Sequence, residues 1–221
     1  MPETIPLDKD QQRKLLAVEY LNACDQIFLG LKRQHKHNTF HFLITLRSFI
    51  EYTRRGIWFL CWANPEKIKE ARKPTFARPG SPDLVVMDEM INEKLGKGRV
   101  SGLMLESPGI KEPFLDNLHA LTHGNPFAVR LIALGLEKTF NTEMLLARAE
   151  YELNLFRILL WRRMLGEKQK DTWKTLSGIH NDPNQVQACV KEAAYLLTQS
   201  GKVNGTFKPK TKSRPVKSGS R

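Results

Sequence analysis

Apolar residues recur along this chain at three- and four-residue intervals, and strand-like alternation is missing, so the pattern predicts helices nearly throughout and an all-α fold. The first helix is expected to start near Leu7 or Asp8, carry Leu15, Leu16, Val18, Leu21, Ile27, Phe28 and Leu31 toward a core, and end around Lys32 to His37. Asn38 or Thr39 can cap a second helix running to about Ala63, where Asn64-Pro65 stops it, because the residue before proline resists helical angles. This is the most apolar stretch of the chain and is expected at its centre.

Beyond it, Pro65, Pro74, Pro79 and Gly80 among several Lys and Arg predict a short helix and an exposed basic loop. Ser81-Pro82 reads as a cap followed by first-turn proline, opening a helix that ends near Gly96, and 96–110 reads as a glycine-rich loop. Helices are expected over Lys111 to His123, over Phe127 to Glu137, and from Asn141 or Thr142 to Leu165, with a short one around Trp173. Asp182-Pro183 repeats the cap-plus-proline signal for a last helix to about Gln199, with Val186, Cys189, Val190, Ala193 and Leu197 on its apolar stripe.

Composition narrows the classes. Of 221 residues, 41% are hydrophobic and 26% charged, which excludes collagen-like, wholly disordered and membrane-embedded chains. The longest apolar run, Ile57 to Ala63, falls far short of the roughly 20 residues a membrane span needs. The opening residues offer neither the basic start nor the apolar middle of a secretory signal, so the expected location is the cytoplasm. Cys24, Cys61 and Cys189 are too scattered for a disulfide framework or a zinc pattern. No cofactor is implied, since phosphate-loop, dinucleotide and Gly-x-Ser-x-Gly signatures are all missing from the sequence.

The formal charge of +12 is unevenly placed. Lys202, Lys208, Lys210, Lys212, Arg214, Lys217 and Arg221 put seven positive charges and no acid into 201–221, leaving +5 for the rest. So Lys-, Gly-, Ser- and Pro-rich a segment cannot bury enough apolar surface to offset ordering entropy. The expected organisation is therefore one helical domain over 1–200 and a disordered basic tail over 201–221.

Two helix faces concentrate chemistry. On the second helix Arg47, Ser48, Glu51, Arg54 and Arg55 fall within an arc of roughly 120°, and Arg47 and Glu51 stand at pairing distance. This stripe either faces water or forms a site wall, with Arg54 and Arg55 as nucleic-acid contacts. On the segment before Gly124, Glu112, Asp116, His119 and His123 lie within roughly 60° of one another. Histidines one turn apart can act as general acid and base, as cationic phosphate contacts or as metal ligands, and such a face can equally be merely solvated. His35, His37 and His41 form a further cluster in a basic turn, and only a meeting of the two histidine groups would make a zinc or iron site. No metal is assigned on this basis. Trp58, Trp62, Trp161 and Trp173 fit either the core or an interface with a protein partner.

The segments Leu46-Arg-Ser-Phe-Ile-Glu-Tyr52 and Leu118-His-Ala-Leu-Thr-His-Gly124, in that order, resemble the HEPN-like helical proteins of prokaryotes, including those of the abortive-infection type, over roughly residues 10 to 165. The resemblance implies an antiparallel helical bundle, often a homodimer, tied to metal-independent RNA cleavage in toxin and defence systems. It carries the family histidine onto His123. The positions where active members hold an arginine are occupied by Asp116, Asn117 and Leu118. With that resemblance, His119 and His123 become the candidate acid and base, and Arg47 with Glu51 the phosphate contact and orienting group. The expected partner is RNA or another nucleic acid, bound also through Lys208, Lys210, Lys212 and Arg214. A non-catalytic nucleic-acid-binding or assembly subunit uses the same charges, because Lys and Arg neutralise phosphate whether or not cleavage follows.

Overall fold

The computed structural model describes residues 8–73, 81–95, 141–180 and 182–204. Among these residues every regular element is helical: α1 (Lys9–Gln34), α2 (Thr39–Cys61), α3 (Pro65–Ala71), α4 (Leu84–Lys94), α5 (Thr142–Met164), α6 (Gln169–Ile179) and α7 (Pro183–Asn204). None of the helices among the described residues is long and apolar enough to cross a membrane.

Helix starts follow the side chains that can satisfy first-turn N–H groups. Asp8 accepts from the Gln11 backbone at 2.8 Å while the Gln11 side chain accepts from the Asp8 N–H, a reciprocal capping box. Asn38, Asn64 and Asn141 each accept from the N–H three residues on, opening α2, α3 and α5. The Asp182 carboxylate accepts from Asn184 and Gln185 at the start of α7. The Ser81-Pro82 expectation needs correction: α4 begins at Leu84 with Asp83 in the cap position, and Ser81 instead meets Arg55. At the far end α7 continues to Asn204, past the expected stop at Gln199.

Helices α1, α2 and α5 form the heart of the fold, with α7 on α5, α4 on α2 and α6 touching both α5 and α7. Phe42, Phe49, Phe59 and Phe156 are fully buried, each worth about 1.5–3 kcal/mol relative to exposure. A smaller cluster of Leu16, Trp58, Phe59, Ala63, Ile68 and Met87 seats α3 and α4 against the end of α2. Trp58 and Trp173 are buried, and Trp62 packs on Trp173 with ring centroids 5.8 Å apart. Of the α1 positions expected inside, Leu15 is instead exposed, because the buried stripe of Leu16, Leu21, Cys24, Phe28 and Leu31 turns it outward.

Gly56 of α2 sits where Tyr20 of α1 and Phe156 of α5 both press against it. A Cβ there would stand 2.5 Å from Phe156 Cζ and 2.8 Å from Tyr20 Cβ, so only glycine fits without displacement. Gly166 ends α5 at φ +88°, with the Glu167 N–H returning to the Arg162 carbonyl at 3.0 Å. That turn sends the chain into α6.

Candidate functional site

The polar stripe of α2 divides into two environments. Arg47, Glu51 and Arg55 lie toward solvent, with Arg47 and Arg55 side chains 15% and 20% exposed. Glu51 accepts from both neighbours, from Arg47 through Oε2 and from Arg55 Nη2 and Nε through Oε1 at 2.7 and 3.1 Å. Arg55 also donates to the Ser81 hydroxyl, tying α2 to the start of the α4 segment. Burial by itself pushes the Glu51 carboxyl up, but hydrogen bonds and charge from Arg47 and Arg55 outweigh it and hold the group below its ordinary value. Two guanidiniums on one carboxylate leave one positive charge in excess. Ser48 is exposed and donates only weakly, to the Ile44 carbonyl at 3.4 Å.

Arg54 departs from the expected nucleic-acid face. Its side chain is 2% exposed, with Nε 2.8 Å from Asp88 on α4 and Nη1 2.8 Å from Glu152 on α5. At roughly 100° per residue Arg54 falls at the core edge of the stripe while Arg55 falls on the opposite edge. One arc of the helix thus serves both water and interior. Burial alone would push the Arg54 guanidinium toward its neutral form, but the charges and hydrogen bonds of Glu152 and Asp88 overcome this and raise its pKa. Asn92 donates to the second Asp88 oxygen at 3.0 Å, and Arg148 donates to the second Glu152 oxygen at 3.1 Å. The buried carboxylates are therefore paired at each oxygen, which a charge away from water requires.

A cavity of about 30 Å³ opens beside this network, lined by Arg54, Asn92, Leu95, Arg148, Tyr151, Glu152, Leu155 and His180. Tyr151 carries the Arg148 guanidinium 4.4 Å from its ring centroid, and burial pushes its phenol up to about 12. His180 caps the end of α6 with its Nδ1 2.9 Å from the Ser177 carbonyl. Sequence reasoning missed Asp88, Glu152 and His180. The available signal was Glu152 at helical spacing from Leu145, Ala149, Leu155, Phe156 and Leu159, which sets a carboxylate on the apolar side of the helix and needs a buried cation once the helix is central.

His119 and His123 lie outside the described residues, as do Lys208, Lys210, Lys212 and Arg214. Around the first turn, His35 engages the Lys32 carbonyl through Nδ1 at 2.8 Å, and His37 and His41 are exposed. Among the described residues no three His, Cys, Asp or Glu side chains gather as metal donors. No family model, curated protein or solved structure matches the chain.

Proposed function

We propose that this chain is a HEPN-like, RNA-associated helical protein whose antiparallel bundle offers Arg47 and Arg55 of α2 to phosphate. The observation that carries the reading is the Arg47–Glu51–Arg55 set, in which one carboxylate orients two partly exposed guanidiniums and leaves a net positive charge. Fixed guanidiniums suit phosphate because their donors match its oxygens in a planar fork. The excess of +12 over the whole chain and the basic residues Lys208, Lys210, Lys212 and Arg214 add the sequence-independent part of affinity. Arg54 contributes nothing at the surface. Its role is to hold α2, α4 and α5 together, so that Arg55 is presented from a rigid helix.

In this reading His119 and His123 are the proton-transfer pair of a metal-independent endoribonuclease, in a dimer belonging to a toxin or defence system. The developing charge on phosphate needs a cation, and Arg47 or Arg55 supplies it in place of the family arginine missing from 116–118. Incubation of the full chain with labelled single-stranded RNA, with and without EDTA, beside His123→Ala tests this. Cleavage that survives EDTA and vanishes in the variant is expected. The Asp116-Asn117-Leu118 sequence specifically favours the second reading, a non-catalytic nucleic-acid-binding or assembly subunit. Intact RNA with retained binding selects the nucleic-acid-binding form of that reading, and absence of binding overturns every RNA-associated reading and leaves only the assembly subunit.

A further inference from the structure

The buried end of α6 carries a histidine whose ring is only half used. His180 is 8% exposed, and its Nδ1 faces the Ser177 carbonyl oxygen at 2.9 Å. A carbonyl oxygen can only accept, so Nδ1 carries the proton, and in the neutral ring Nε2 is an acceptor. That Nε2 is buried and finds no donor among the described residues. Arg148, in the same cavity lining, has the opposite deficit: its terminal nitrogen donates to Glu152, while its buried Nε–H has no acceptor among the described residues. Unmatched buried polar groups of this kind cost about 1–3 kcal/mol each.

We propose that the cavity between α2, α4, α5 and the end of α6 is a binding site for one internal water molecule, held by His180 Nε2 and Arg148 Nε. With Arg54 Nε assigned to Asp88 Oδ1 at 2.8 Å, the lining keeps one orphan acceptor and one orphan donor, and their complement is a single small group that both donates and accepts, which is what a water oxygen does. The size agrees. A cavity of about 30 Å³ is on the scale of one water, which needs roughly 10–15 Å³ of probe-occupied volume and two or more polar partners. Charge agrees as well, since Arg54 and Arg148 stand against Glu152 at the lining and Asp88 behind it, so the site favours a neutral occupant over an ion. The bound molecule fastens the α6 terminus to α5 next to the Arg54 network, and explains a histidine at a position where an apolar side chain would otherwise serve.

High-resolution crystallography of the full chain is the first test. One density peak within hydrogen-bonding distance of both His180 Nε2 and Arg148 Nε is expected. An empty cavity, or a protein side chain filling it, overturns the proposal. Nitrogen-15 spectra of the histidine ring supply an independent reading: a proton on Nδ1 with a hydrogen-bonded Nε2 is expected, and a proton on Nε2 in the neutral ring overturns it. Oxygen-17 relaxation dispersion on folded His180→Leu is expected to show one long-lived water fewer than the natural chain. An unchanged signal counts against the site, and the two measurements on the natural chain decide the matter should that variant not fold.

Discussion

Arg54 Nη1 on α2 and Glu152 Oε2 on α5 stand 2.8 Å apart although 98 residues separate them in the chain. With Asp88 on the other side of the guanidinium, this contact joins three helices through one buried cation. Removing the cation leaves two carboxylates in the interior. Arg54→Met is therefore expected to cost about 3–5 kcal/mol in urea unfolding, whereas Arg54→Met with Asp88→Leu and Glu152→Leu recovers most of it. A loss under about 1 kcal/mol in the single variant would show that the pair does not hold the helices together.

Acid stability follows from two carboxyls held below their ordinary values. For Glu51 and Asp10 burial pushes the pKa up, but Arg47 and Arg55, and Lys14 and Arg163, respectively, outweigh it. A group depressed in the folded state stabilises above its unfolded pKa and loses that contribution as pH falls through the folded one. The natural chain is expected to lose stability below the ordinary carboxylate range, with a shallower acid limb in Glu51→Gln and Asp10→Asn. Parallel limbs in stability against pH would show that these pairs carry no such linkage.

Gly56→Ala places a methyl group into Phe156 and Tyr20. Overpacking at such a closure is expected to cost about 1–3 kcal/mol, outweighing the gain in helix propensity. Phe156→Leu in the same chain should return part of the loss, so a thermal midpoint unmoved by Gly56→Ala would contradict the close approach of α1, α2 and α5.

Thiol reactivity separates the three cysteines. Burial pushes Cys24 and Cys61 up to about 12, and neither offers a thiolate at neutral pH, while Cys189 on α7 is only half-buried. An aromatic disulfide reagent is expected to modify one thiol per native chain promptly and all three after denaturation. Prompt reaction of two or three in the native chain would place the α1 or α2 cysteine at the surface.

Deleting 205–221 removes Lys208, Lys210, Lys212, Arg214, Lys217 and Arg221 and leaves α7 whole. If these residues neutralise phosphate, affinity for single-stranded RNA falls and its dependence on salt flattens, by roughly 0.7 in the logarithmic slope for each phosphate no longer neutralised. Filter-binding titrations at several salt concentrations check this, and an unchanged slope removes the segment from the interface.

Periodicity and capping chemistry were enough to define most of the helices. Asp8, Asn38, Asn64, Asn141 and Asp182 each hydrogen-bond backbone within three residues, so their effect is written locally. The Arg47–Glu51 pair was legible for the same reason, being one helical turn long. The start of α4 was not, because Ser81 spends its hydroxyl on Arg55, a partner 26 residues away. Nor could the α2 stripe reveal that Arg54 turns inward while Arg55 turns outward. That division depends on Asp88 and Glu152 arriving from other helices, since a guanidinium enters the interior only where carboxylates offset its lost hydration. Local spacing thus determined the all-helical character and the cation-rich face. The tertiary structure alone decided which of those charges became a surface and which became part of the core.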